Sequence, residues 1–200
     1  MEEWSVGSAH GFLGMRLFVA MNLPGEIRER LAAVQDRLRG VQADVSWVRP
    51  ENLHVTLKFL GETEEKRLPS IRLALAEMSR AVSPFSMEVA GIGSFGGRVP
   101  RVVWVGVRDG AQPLVDLAHQ VENALARLGI PKEKREFTAH LTLGRVRSPR
   151  NAEGLLARLQ EVRGEEFGTI TARAFELMQS ELRPSGSIYT VLERCSLETF

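Results

Sequence analysis

Cysteine is nearly absent. Cys195 is the only one in 200 residues, which excludes an internal disulfide and a multi-cysteine metal cluster. Its place in an alternating apolar stretch reads as a core thiol rather than a nucleophile. No apolar run approaches the roughly 18 residues of a membrane-spanning helix. An excess of one charge is missing too: 26 Lys and Arg stand against 25 Asp and Glu, a formal net charge of +1. That balance does not imply bulk nucleic-acid binding, so any anionic ligand must be held by a local patch. The first 14 residues have neither the basic start nor the sustained apolar segment of a secretory signal. We expect a cytoplasmic monomer in which residues 1–14 are a flexible N-terminal extension, with His10 a bystander, and residues 15–200 form one folded domain.

What is present is ordinary for a soluble globular chain, 44% apolar and 26% charged, apart from one repeated tetrapeptide. His54-Val55-Thr56-Leu57 recurs as His140-Leu141-Thr142-Leu143. Side chains alternate between the faces of a strand. His54 and Thr56 therefore share one face, and His140 and Thr142 share another. Val55, Leu57 and Phe59 are assigned to the core face of the first copy, Leu141 and Leu143 to that of the second. Each copy is half a core strand and half a polar platform carrying an imidazole and a hydroxyl.

The rest of the chain alternates short strands with amphipathic helices. Ile27, Leu31, Val34 and Leu38 mark one helix stripe, closed by Gly40. Leu68, Ile71, Leu75 and Met78 mark a second, with Pro69 placing its regular start near Leu68. Leu114, Leu117, Val121, Leu125 and Leu128 mark a third, Leu155, Leu159 and Val162 a fourth. Two final strands are predicted around Phe167–Leu182 and Ile188–Leu197. The class is α+β, with helices covering one face of antiparallel sheets. The motif recurs at nearly half the folded length, as an internal duplication would give: two lobes, each supplying one motif strand to a shared cleft.

Two histidines on opposing strands suit phosphodiester hydrolysis. One neutral imidazole takes a proton from water, and one imidazolium gives a proton to the departing oxygen. The threonines can hydrogen-bond the non-bridging phosphate oxygens. Two histidines without Asp, Glu or Cys on the same strand faces make a poor zinc set, so no metal and no cofactor is expected.

The chain resembles the 2H phosphoesterase superfamily, and within it the RNA 2′,3′-cyclic phosphodiesterases historically called 2′-5′ RNA ligases. The match rests on Met-Arg-Leu-Phe-Val-Ala-Met-Asn-Leu-Pro (15–24), Asn-Leu-His-Val-Thr-Leu-Lys-Phe-Leu-Gly (52–61), Arg-Val-Val-Trp-Val-Gly (101–106), Phe-Thr-Ala-His-Leu-Thr-Leu-Gly-Arg (137–145) and Ser180, Leu182, Gly186 and Tyr189. Gly144 stands where the family often has alanine. The resemblance implies two pseudo-symmetric lobes of antiparallel sheet, helices on the outer faces, and an active-site cleft between the lobes. It implies hydrolysis of a 2′,3′-cyclic phosphate at an RNA end to a 2′-phosphomonoester, with His54 as proton donor, His140 as proton acceptor, and Thr56 and Thr142 on the phosphate. Alternatives are 2′-5′ end joining, action on small cyclic nucleotides, or a non-catalytic RNA- or nucleotide-binding module. The last would predict a disrupted motif, and both copies are intact.

Arg145 follows the second motif and is a candidate phosphate ligand, provided a bulge or the strand end reverses its alternation parity. Lys58 falls on the His54 face and is expected at the surface, with RNA contact as the alternative. Trp47 and Tyr189 are candidates to stack on a base, Trp47 equally a core residue. His119 is read as a structural helix residue. Arg98, Arg101, Arg135 and Arg147 form either a basic rim for RNA or a solvated surface.

Overall fold

The structure, a computed structural model, describes residues 14–184 and 186–198. The expected extension and His10 lie outside the described residues, except Gly14, which opens the first strand. In chain order the elements are β1 (Gly14–Asn22), α1 (Gly25–Arg39), β2 (Val45–Trp47), β3 (His54–Glu64), α2 (Leu68–Ser79), β4 (Phe85–Phe95) and β5 (Val102–Val107). There follow α3 (Ala111–Ala126), β6 (His140–Val146), α4 (Ala152–Glu161), β7 (Glu166–Ala172), β8 (Ala174–Arg183) and β9 (Gly186–Ser196). The strands form two antiparallel sheets, ordered β3-β1-β8-β9 and β2-β6-β5-β4-β7. The fold is thus α+β with one motif strand in each sheet.

The helix stripes are the buried faces. Ile27, Leu31, Val34 and Leu38 of α1 are buried, as are Ile71 and Leu75 of α2 and Leu114, Leu117, Val121 and Leu125 of α3. α2 begins at Leu68 with Pro69 in its first turn, where a missing N–H removes no helical bond. Two of the four helices, α1 and α3, pack against the sheet that does not precede them. α2 and α3 pack together against β9 and β3 of the first sheet, while α1 and α4 pack against β7 and β4 of the second. One continuous apolar core joins the sheets and helices.

The stretch expected as one strand over 167–182 is two. β7 ends at Ala172 in the second sheet, and β8 starts at Ala174 in the first. The buried positions explain the break: Ile170 and Ala172 keep period two, but the next are Phe175 and Leu177. A spacing of three turns the apolar face over, which one flat strand cannot do.

A second departure lies in β3. Ala20 pairs with Thr56 but Val19 pairs with Lys58, so Leu57 is an extra residue. Beyond that bulge the faces swap. Lys58, expected at the surface on the His54 face, is 2% exposed and lies in the core. Phe59, expected in the core, is 58% exposed, on the same side as Phe18.

The buried ammonium has two acceptors. Lys58 Nζ donates to Glu122 Oε1 of α3 at 2.7 Å and to the Pro131 carbonyl at 2.8 Å. Glu122 Oε1 also accepts the Glu133 N–H at 2.7 Å. One ion pair therefore fastens the first motif strand to α3 and to the loop leading into the second motif. Partial burial of Glu122 opposes its ionisation, but the Glu133 N–H and the Lys58 ammonium outweigh it and hold the carboxyl below its ordinary range.

Removing one partner of such a pair strands a charge at a cost of about 3–5 kcal/mol. Lys58→Met should cost about that much in urea unfolding, and adding Glu122→Gln should return at least about 1 kcal/mol, because the stranded carboxylate is gone. A depressed carboxyl stabilises the fold above its unfolded value, and that stability is lost as pH falls through the folded value. Acidification below the ordinary 4.5 should therefore cost the parent more than Glu122→Gln.

Candidate active site

The two histidines occupy the helix-free faces of their sheets. On β1, Leu17, Val19 and Met21 go to the main core, while Phe18 and Ala20 form a separate small cluster with Met178 and Tyr189. Ala20 is opposite Thr56 and Asn22 opposite His54, which puts the first motif on this second face. In the other sheet Leu141, Leu143, Val103 and Val105 are buried in the main core. Thr142 is opposite Trp104 and His140 opposite Gly106, on the reverse face. Strands β3 and β6 approach within 8 Å, Cα to Cα. His54, Thr56, His140 and Thr142 thus have the faces that the alternation predicts.

The second motif strand bulges at the same place as the first. Trp104 pairs with Thr142 and Val103 with Gly144, so Leu143 is extra. Arg145 is then opposite Val102 and shares the face of Thr142 and His140. The bulge that Arg145 required is present, and its side chain is exposed. Gly144 takes the inward position that Lys58 takes in β3. A Cβ there would fall 2.7 Å from Val45 Cγ1 and 2.9 Å from the Trp47 ring. Trp47 packs on the core beneath the Arg39 guanidinium, which settles it as a packing residue. The Leu143 carbonyl faces the β2 side, away from the bulge. It accepts the Val48 N–H at 2.8 Å and the amide of Gln35, a fully buried side chain, at 2.9 Å.

Both imidazoles are oriented by the same local device. His54 Nδ1 is 2.7 Å from the Asn52 carbonyl, and His140 Nδ1 is 2.7 Å from the Thr138 carbonyl. A carbonyl only accepts, so each Nδ1 carries hydrogen and each Nε2 is the atom left to exchange a proton. The Thr56 hydroxyl is 2.9 Å from His54 Nε2 and donates to it when the ring is neutral.

The surroundings of the two rings differ. Phe18 lies 5.1 Å from His54 centroid to centroid, and Tyr189 meets it edge-on at 5.4 Å. This enclosure removes water, and burial lowers the His54 pKa despite the Asn52 carbonyl, which favours the proton. Among the described residues His140 has one ring neighbour, Phe95, edge-on at 5.2 Å. Phe95 in turn leans on Trp104 at 5.3 Å. Trp104 lies over Gly93, where a Cβ would come within 2.5 Å of the indole.

Sequence reasoning did not single out Phe18, Phe95 or Trp104. Phe18 and Trp104 belong to the strands that pair with the motifs, and only the register reveals them. Tyr189 flanks His54 as one of the expected aromatic candidates. Arg98, Arg101, Arg135 and Arg147 are all exposed, and His119 is exposed on α3. Cys195 is buried, and burial first, then Glu193 and Glu176, push its thiol up to about 11, as befits a core residue. Among the described residues no three His, Cys, Asp or Glu side chains converge to hold a metal. Nor is any helix there long and apolar enough to cross a membrane.

Comparison with known proteins places this geometry. The family model described as LigT-like phosphoesterase matches twice, over residues 22–104 and 105–189. An RNA 2′,3′-cyclic phosphodiesterase of Archaeoglobus fulgidus is 42% identical over 88% of this chain and 96% of its own length. A crystal structure from Thermus thermophilus superposes with a TM-score of 0.77 at 34% identity, covering 92% of this chain and 98% of that one. Escherichia coli LigT complexed with 3′-AMP gives 0.75 at 28% identity, covering 93% and 99%.

Nitrogen-15 NMR should find both imidazoles as the Nδ1–H tautomer when neutral, with His54 titrating below its ordinary 6.5. Phe18→Ala, which readmits water, should raise that midpoint. The unfolded imidazole binds its proton more readily than the folded one, so His54 weakens the fold as pH drops below 6.5. A His54 midpoint at or above 6.5 would contradict this enclosure.

Proposed function

The chain belongs to the LigT-like phosphoesterase family, and from there we propose that it hydrolyses 2′,3′-cyclic phosphate ends of RNA to 2′-phosphomonoesters. The observation that carries the reading is the matched pair of imidazoles. Each is held at Nδ1 by the carbonyl two residues before it, and each keeps Nε2 for proton exchange. The names of the relatives support the substrate class. The paired family match and the paired bulges support reading the domain as an internal duplication that gives each lobe one motif.

In this reading His140 Nε2 takes a proton from water as its oxygen attacks phosphorus. The bond from phosphorus to the ribose 3′ oxygen breaks, and His54 Nε2 delivers a proton to that oxygen. Thr56 and Thr142 donate to the non-bridging oxygens as charge shifts onto them. Arg145, on the His140 face, adds a cation beside the phosphate. The proton chemistry is complete with these groups, so the reaction proceeds without a metal. Burial makes His54 a stronger acid than an ordinary imidazole, which suits a donor.

A short RNA with a 2′,3′-cyclic end, incubated with EDTA, should yield a 2′-phosphate with the parent protein. His54→Ala and His140→Ala should each lower kcat by at least about 100-fold. Turnover that persisted in both variants would move the active site elsewhere; RNA binding without turnover in the parent would favour a binding module. The pH profile carries a second signature. In free protein the lowered His54 pKa sets the alkaline fall of kcat/KM. A bound phosphodiester anion favours the imidazolium, so the alkaline fall of kcat should lie at higher pH.

A further inference from the structure

A groove of about 510 Å³ opens beside His54, between the start of α1, the turn before β3 and the β8–β9 hairpin. It begins at residues that already hold the donor histidine. Asn52, whose carbonyl orients His54, and Tyr189, whose ring encloses it, both line the groove. Two arginines, Arg28 and Arg49, also line it, with one acidic residue, Glu51. Arg49 is seated against the hairpin turn, where a Cβ on Gly186 would come 3.5 Å from its nitrogen. Ile188 and Val191 leave apolar surface in the same groove, 37% and 50% exposed.

We propose that this groove is a subsite for the nucleotide 5′ of the cyclic end, so that the substrate is an oligonucleotide rather than a mononucleotide. The inference rests on the reaction proposed above. The donor protonates the 3′ oxygen, so the terminal ribose belongs on the His54 side of the phosphorus. The RNA chain continues from the 5′ oxygen of that ribose and must leave from that side. The groove adjoining His54 there has the chemistry of one nucleotide step: cations for the connecting phosphate, and a tyrosine edge and aliphatic surface for ribose and base. Its volume falls within the roughly 300–1,000 Å³ of small-ligand sites. A chain with a net charge of +1 has no general attraction for RNA, so the two arginines supply the local one.

The test compares kcat/KM for cytidine 2′,3′-cyclic phosphate with that for a three-nucleotide RNA carrying the same end. The parent should prefer the trimer by about tenfold or more. Arg28→Ala and Arg49→Ala should each reduce the trimer-to-mononucleotide ratio at least about fivefold, mainly through KM. The trimer's kcat/KM should also fall more steeply with salt, by a slope of about 0.7 per phosphate held. Mononucleotide turnover reports that each variant is folded. Equal rates on both substrates in the parent, or equal losses on both in the variants, would overturn the subsite while leaving the reaction intact. Turnover of neither substrate by the parent would overturn the reaction itself, and the subsite with it.

Discussion

Leu57 and Leu143 each occupy a strand position with no partner on the neighbouring strand, and the side chains beyond them change faces. Up to the threonine, alternation presents an imidazole and a hydroxyl to the helix-free face. After the extra leucine, the next residue turns into the core and the one after it returns to the histidine face. That sequence of events places Lys58 inside and Phe59 outside in one lobe, Gly144 inside and Arg145 outside in the other. Polar groups beside each motif also lie in the interior and need partners. Gln35 reaches the Leu143 carbonyl beside the second motif, and the inward Lys58 beyond the first finds Glu122 and Pro131.

These two polar residues also tie the halves together. Gln35 belongs to α1, which follows a strand of the first sheet but packs against the second. Lys58 belongs to the first motif strand and holds the loop that leads to His140. The lobes are therefore built from interleaved pieces of chain, and the separation of the two motifs is constrained by directional, buried contacts as well as by the apolar core. The donors Gln35 Nε2 and Lys58 Nζ are both buried, and loss of their acceptors would be costly in that interior.

Much of this was legible in the sequence, and the limit has a physical origin. The helix stripes were legible because a 3.6-residue period recurs over several turns and the buried face is the apolar one. The faces of His54, Thr56, His140 and Thr142 were legible because period two holds over three residues. Lys58 and Phe59 were misread because nothing in Thr-Leu-Lys-Phe marks the leucine as extra; a lysine in a strand reads as surface and a phenylalanine as core. Arg145 could be stated only conditionally, since the bulge it required is a property of pairing with β5. Phe18 and Trp104 escaped for the same reason: cross-strand neighbours exist only once register is fixed. Phe95, on β4, meets His140 across the intervening β5, a contact only the assembled sheet supplies. The handover from β7 to β8 was visible only as a spacing of three between Ala172 and Phe175.

The unequal enclosure of the two imidazoles has a consequence for specificity. His54 is packed between Phe18 and Tyr189, and without a ligand that burial disfavours its charged form. In the reaction proposed above, a His54 that is neutral has no proton to give. A phosphodiester carries one negative charge, and placing it against His54 Nε2 stabilises the imidazolium in a setting where water does little screening. Under the proposed reaction the substrate would thus help to load the acid that its own leaving group requires. A neutral ester of the same shape would bind beside an unprotonated ring and leave as an unassisted alkoxide. If His54 is the donor, as proposed, the apolar rings that make it a weaker base would also give it a preference for an anionic substrate, which net charge alone would not provide.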